Sequence, residues 1–239
     1  SFILCAAIME LPTTFLERLK SLDIPFTPRA LVVSVHDQKM TLFIDHEAQP
    51  AYAISTARNG VGQQLNSYQT PLGLHRIKQK IGQNAPRGTI FDSREFSGKN
   101  WSPNQEVRLV PSKQGDAGEG GSQEPESRIQ NPATFAKATV DKESTIGNPQ
   151  SEIRNPKSEP DLVTSRILWL EGLEPGLNSG ADADGRVVDS YKRYIYIHGT
   201  NHEEDIGKPA SRGCIRMTNS DVITLFDLVK EGDLVWIQE

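Results

Sequence analysis

The stretch densest in chemically capable residues runs from Tyr194 to Met217, YIYIHGTNHEEDIGKPASRGCIRM. It sets His198 at the end of a β-type run and, with fifteen residues between them, Cys214 inside Ser211-Arg212-Gly213-Cys214-Ile215-Arg216. A free cysteine ionises near pH ~8.5, so little of it is thiolate at neutral pH; an imidazole held beside it can take the proton. The amides of Gly213 and Cys214 are candidate donors to a developing oxyanion, and Gly213 lets the backbone approach a substrate closely. No Asp or Asn stands in an obvious place to orient the imidazole, which leaves the backbone carbonyl at Gly199 for that task. Each residue also has a plainer reading. A Cys between Gly and Ile is commonly a small buried hydrophobe, and a His at a strand end is commonly a satisfied polar group.

Other chemistries fare worse. His198 and His202 have the H-x-x-x-H spacing of zinc peptidases, but Gly199 and Thr200 do not suit the required helix and no Glu follows the first His. No metal site is expected. His202, Glu203, Glu204 and Asp205 read as a solvated acidic loop, with a lid over the pocket as the other reading, and His36, His46 and His75 as ordinary surface or strand histidines. No phosphate-binding glycine loop or dinucleotide fingerprint occurs, so no cofactor is expected. A net charge of −5 with scattered Lys and Arg argues against nucleic acid. The two cysteines, Cys5 and Cys214, exclude a disulfide framework, and a single bridge between them would silence the thiol. No run approaches the ~20 apolar residues that span a bilayer. The apolar start SFILCAAIM lacks a basic flank, so no clear signal peptide is expected, although the trimmed end of one would look like this; Leu4 argues against lipidation at Cys5.

Around these residues the pattern is mainly β. Thr14 to Leu22 reads as a short helix with capping-box spacing from Thr14 to Glu17. Ala30–Val35 and Lys39–Asp45 read as a hairpin, Ala51–Thr56 as a third strand, and Leu74–Ile77 as the start of another after a turn at Pro71 and Gly73. Arg166–Leu170 and Leu234–Ile237 are further strands. Arg193 to His198 alternates, with Tyr194 and Tyr196 on one face and Ile195 and Ile197 on the other. Asn219 is placed to cap a helix with the stripe Val222, Leu225, Phe226 and Val229. Between about 98 and 161 the chain is rich in Ser, Gly, Pro, Gln, Asn and Glu, too poor in apolar groups to offset its ordering entropy. It holds one near-repeat, SRIQNP and SEIRNP, that is not sustained. It reads as a disordered insertion within one domain of 30–239, preceded by an N-terminal extension, 1–29.

The pattern H-G-T, loop, S-x-G-C-I-R-M resembles the signature of L,D-transpeptidases with the YkuD-type catalytic domain. The likeness extends to Ala53–Ala57 (AISTA), to Thr70-Pro71-Leu72-Gly73, and to the closing helix and strand from Asp221 to Ile237. The resemblance implies a YkuD-like β-sandwich with a few helices, interrupted by the insertion. It implies Cys214 as nucleophile and His198 as base, attacking a peptidoglycan stem peptide, expelling D-Ala, and passing the acyl group to an amine of a second stem peptide. Ser211, Gly213, Arg216 and Thr200 match motif positions that shape the pocket. Arg216 has two readings, a substrate-carboxylate binder or an ion-pair partner. Arg212 stands where the family often has His, adding a cation beside the thiol. Hydrolysis in place of transfer, or a non-catalytic wall-binding module, are the other functions consistent with the resemblance. The cell envelope is the implied location, stem peptides the implied partners, and a monomer the expected state.

Overall fold

Several strands of this chain are apolar at successive positions rather than alternate ones, and the computed structural model shows that both faces of the sheet they form are covered. It describes residues 10–103, 105–109 and 160–239. The strands are β1 (Arg29–Ser34), β2 (Lys39–Ile44), β3 (Glu47–Ala48), β4 (Tyr52–Ala53), β5 (Gly73–Ile81), β6 (Thr89–Asp92), β7 (Glu95–Ser102), β8 (Gln105–Leu109), β9 (Val163–Gly172), β10 (Tyr196–Thr200), β11 (Ile215–Met217) and β12 (Leu234–Gln238). Two α-helices, α1 (Thr13–Ser21) and α2 (Asn219–Leu228), accompany them. The fold is mainly β, as its sequence pattern predicts.

The strand order is β3-β2-β1-β12-β5-β9-β6-β7-β8, with β4 beside β2, β10 beside β9 and β11 beside β10. Successive side chains of a strand point to opposite faces. Ala30 and Val32 of β1, Phe43 of β2, and Leu234 and Trp236 of β12 therefore pack with Phe15 and Leu19 of α1. Leu31 and Val33, Leu42, and Val235 and Ile237 face the other way, into a larger core with α2, Ile197 of β10 and Ile215 of β11. No described helix is long and apolar enough to cross a membrane.

Local expectations change in four places. In α1 the capping box does not form: Pro12 is the N-cap and no side chain caps the helix. Ala51–Thr56 yields only the two-residue β4, then an isolated bridge from Ser55 to Arg216. β10 starts at Tyr196, because Tyr194 takes a left-handed φ of 57° that interrupts the run. Thr218, not Asn219, caps α2, its hydroxyl accepting the Asp221 amide at 3.1 Å. Strand pairing also continues past Gly98 through β7 and β8. The rest of the polar stretch, 110–159 with its near-repeat, lies outside the described residues, as do 1–9 with Cys5.

Candidate active site

The parallel pairing of β10 with β11 sets Ile197 beside Ile215 and His198 beside Arg216. By the period-two rule Cys214, the residue before β11, shares the face of Arg216, and Tyr196 that of His198. The opposite face carries Ile197 and Ile215 into the core. One ribbon thus presents thiol and imidazole on the same side.

His198 is buried, and its Nδ1 lies 2.7 Å from the Gly199 carbonyl. A carbonyl only accepts, so the proton sits on Nδ1 and Nε2 keeps a lone pair, the state a general base requires. Nε2 has no hydrogen-bond partner among the described residues. The pairing of β10 with β9 shifts register between His198 and Gly199, an irregularity of the kind that re-aims a side chain. Gly199 has no room for a methyl group: a Cβ would meet the Thr164 carbonyl at 2.7 Å and Asn219 Oδ1 at 2.8 Å. Burial lowers the His198 pKa to about 4, against the opposing pull of Asp161 and the Gly199 hydrogen bond.

Cys214 is a free thiol with part of its surface exposed. Its Sγ donates to the Tyr194 carbonyl at 3.3 Å and accepts the Tyr196 amide at 3.4 Å. Burial raises its pKa to about 11, with the Tyr196 amide pulling the other way. Both shifts favour a resting pair of neutral thiol and neutral imidazole.

The turn before Cys214 is tied from three sides. Gly213 has φ of 127°, a region open to glycine, and lies against the Gln69 carbonyl, 3.3 Å from where a Cβ would sit. Ser211 Oγ donates to the Cys214 carbonyl at 2.6 Å and accepts the Gly213 amide at 3.2 Å. Thr70 Oγ1 donates to the Gly213 carbonyl at 3.1 Å while accepting the Ala57 amide at 3.0 Å. The T-P-L-G turn thus anchors the thiol's own turn. Arg193, almost fully buried, donates to the carbonyls of Gly62, Gln63 and Gln69 at 3.2, 2.8 and 2.7 Å, fastening the loop that carries Thr70. Its pKa is lowered to about 10 by burial, with Cys214 opposing.

Several expected roles change. The Gly213 amide is engaged by Ser211, so in this arrangement it does not point at an oxyanion, and Ser211 braces the turn. Thr200 is fully buried, its hydroxyl taken by the His202 amide at 3.1 Å. Arg216 is an ion-pair partner: it is buried and bound to Asp161, with Nε unpartnered. Arg212 is exposed. Glu203 does not belong to a solvated loop alone, because its Oε1 accepts the Asn219 amide at 2.7 Å and Asn219 Nδ2 at 2.8 Å. His202, Glu204 and Asp205 cluster with ligand atoms within 4.8 Å of one another, an arrangement common in exposed acidic loops without an ion.

Three positioning groups were not legible in sequence. Asn219 lies at the centre of a buried network, also donating to the Thr200 carbonyl at 2.8 Å and accepting from Thr164 at 2.7 Å and Ser165 at 2.5 Å. Asn201 clamps the chain where it re-enters the described structure, accepting the Leu162 amide at 2.8 Å and donating to the Pro160 carbonyl at 3.0 Å. Between those two contacts Asp161 reaches Arg216, beside His198.

The model of the YkuD family, the L,D-transpeptidase catalytic domain, matches residues 28–237, and the chain belongs to that family. It is 42% identical over 71 residues to "Putative L,D-transpeptidase YqjB" of Bacillus subtilis (strain 168), and 52% identical over 46 residues to "Putative L,D-transpeptidase YkuD" of the same organism. Those alignments span 29% and 19% of this chain and only 40% and 28% of the relatives. Among solved structures, an L,D-transpeptidase from Mycobacterium smegmatis matches at 14% identity and a TM-score of 0.43, covering 89% of this chain and 59% of that one. L,D-transpeptidase 3 from Mycobacterium tuberculosis, in complex with a faropenem-derived adduct, matches at 15% identity and a TM-score of 0.42, covering 89% and 60%.

Proposed function

We propose that this chain is a peptidoglycan L,D-transpeptidase that forms 3-3 cross-links through a thioester on Cys214, within one catalytic domain of residues 30–239. The observation that carries the reading is the ribbon of β10 and β11, which offers the thiol of Cys214 and the unclaimed Nε2 of His198 on one face. Cys214 Sγ attacks the carbonyl of the diamino-acid residue of a donor stem peptide, and its proton passes to His198 Nε2. The imidazolium returns that proton to the departing D-Ala amine, leaving the thioester. An amine of a second stem peptide attacks the thioester, loses its proton to His198, and the sulfur leaves as thiol. Gly199 holds the imidazole in the required tautomer throughout. The Cys214 amide stabilises the oxyanion, with Gly213 joining it if Ser211 swings away. The substrate lies in the cell wall, so the reading sets the enzyme outside the cytoplasmic membrane.

Intact mass after exposure to a carbapenem tests the nucleophile: one covalent adduct, mapped to Cys214 and absent from Cys214→Ala, is expected. No adduct on the wild type would sink the thioester. Muropeptide analysis with tetrapeptide donors tests the outcome. 3-3 dimers support transfer, whereas tripeptides alone would make the enzyme an L,D-carboxypeptidase. Turnover that persists in Cys214→Ala would place the chemistry elsewhere.

A further inference from the structure

The β6–β7 hairpin turns on two residues, Ser93 and Arg94, between the paired Asp92 and Glu95. Both have positive φ, 49° and 74°. A two-residue turn of this kind is most easily made by Asn-Gly, and L side chains enter the region against steric resistance. An arginine here is a poor choice for the turn itself. The guanidinium Cζ lies 4.6 Å from the ring centre of Trp169 and 5.2 Å from that of Tyr194. Trp169 is in turn stacked on Tyr191, with ring centres 4.0 Å apart. Arg94 Nε donates to the Ser93 carbonyl at 3.1 Å. Among the described residues neither Nη makes a hydrogen bond, and no carboxylate pairs with the cation.

Tyr194 links this cation to the thiol: its ring lies under the Arg94 guanidinium and its backbone meets Cys214. The Tyr194 carbonyl accepts the Cys214 proton, and Cys214 packs against the cluster holding Trp169 and Tyr196. An open groove lined by Gln79, Ile81, Ser93, Arg94, Glu95, Trp169 and Tyr191 runs along the same aromatic surface; Glu95 makes no ion pair with Arg94 among the described residues. Aromatic faces lower the local dielectric and hold the guanidinium plane, leaving its Nη edge to a planar anion that accepts two parallel hydrogen bonds.

We propose that Arg94 is a specificity-determining residue that binds a free carboxylate of the peptide entering the Cys214 site. The inference rests on the reading of Cys214 as a peptide acyl-transfer nucleophile. The guanidinium fork matches a carboxylate in a way that lysine or glutamine cannot, and an amidated peptide offers it no anion.

The test measures binding and turnover separately. Isothermal titration of a stem peptide, as free acid and as carboxamide, is carried out on Cys214→Ala and on Cys214→Ala with Arg94→Gln or Arg94→Lys. The free acid is expected to bind about ten- to a hundredfold more tightly when Arg94 is present, the range of a charge-assisted pair. The carboxamide is expected to bind all three proteins alike, with Arg94→Lys recovering part of the preference for the acid. Circular dichroism confirms that the hairpin variants fold. Equal affinity for acid and amide, or the same loss on both, overturns the inference. Turnover is then followed in the protein that retains Cys214. If that protein turns over neither peptide but keeps the Arg94-dependent preference, the transpeptidase reading falls and the carboxylate site stands.

Discussion

Two buried histidines sit in β strands of this molecule, and both are held neutral, with pKa values lowered to about 4 by burial. Both place Nδ1 on a backbone carbonyl, His75 on Gly73 at 3.0 Å and His198 on Gly199 at 2.7 Å. They part at Nε2. In His75 it is satisfied by the hydroxyl of the fully buried Ser190 at 2.9 Å. In His198 it has no described partner, and the partly exposed thiol shares its face. A depressed pKa therefore identifies neither residue as functional. Under the proposed function, the unclaimed nitrogen beside a partly exposed thiol is what sets His198 apart from His75.

The sharpest way to break this contrast is to remove each ring. His198→Ala is expected to slow acylation of Cys214 roughly a thousandfold, within the range for a lost general base. His75→Gln is expected to leave acylation per folded molecule within about threefold. Stopped-flow acylation rates decide it, and comparable losses in the two variants would erase the distinction.

Acid should treat the two alike. Each histidine takes up its proton near pH 6.5 when unfolded but only near 4 when folded, so the unfolded chain binds more protons between those values. Stability is thus complete above pH 6.5 and is lost as pH falls from 6.5 toward 4, by about 3 kcal/mol per ring. Urea melts at pH 7 and pH 4.5 measure the total. His75→Gln should remove about half of this histidine contribution, and an unchanged acid slope would show that His75 is not buried neutral.

Smaller effects probe the bracing on the thiol's side. Thr70→Val keeps shape but strips partners from the Ala57 amide and the Gly213 carbonyl, costing about 2 kcal/mol. A tenfold slower acylation should accompany it, because the turn carrying Cys214 loosens; full activity would show that Ser211 alone holds that turn. Gly213→Ala, at φ of 127°, should cost about 1 to 3 kcal/mol in a thermal melt. An unchanged melting temperature would mean that the turn relaxes freely.

Much of this was legible in the chain because it depends on short-range pattern. β1, β2 and β12 announce themselves by runs of apolar residues, and the Cys214 segment by its motif. What the pattern could not carry depends on distant partners. Arg193 looks like the polar start of a strand, yet its contacts lie 124 to 131 residues away, in the 62–69 loop. Thr200 follows His198 by two positions, but it is fully buried and its hydroxyl is taken by the His202 amide, a contact no local pattern announces. Asn219 is as good an N-cap by type as Thr218. The hydroxyls of Thr164 and Ser165, arriving on β9, together with the Thr200 carbonyl and Glu203, draw its side chain inward and leave the capping to its neighbour.

The place of β12 has a consequence for how the chain reaches this state. It lies between β1, which it pairs in parallel, and β5, which it pairs antiparallel. Arg29 and Asp233, 204 positions apart, seal the junction at 2.8 Å. Until β12 arrives, β1 and β5 each present an unpaired edge, and closing so long a stretch of chain is entropically slow. A nascent or truncated chain ending before Leu234 should thus remain open and prone to aggregate: the last strand is the keystone of the sheet.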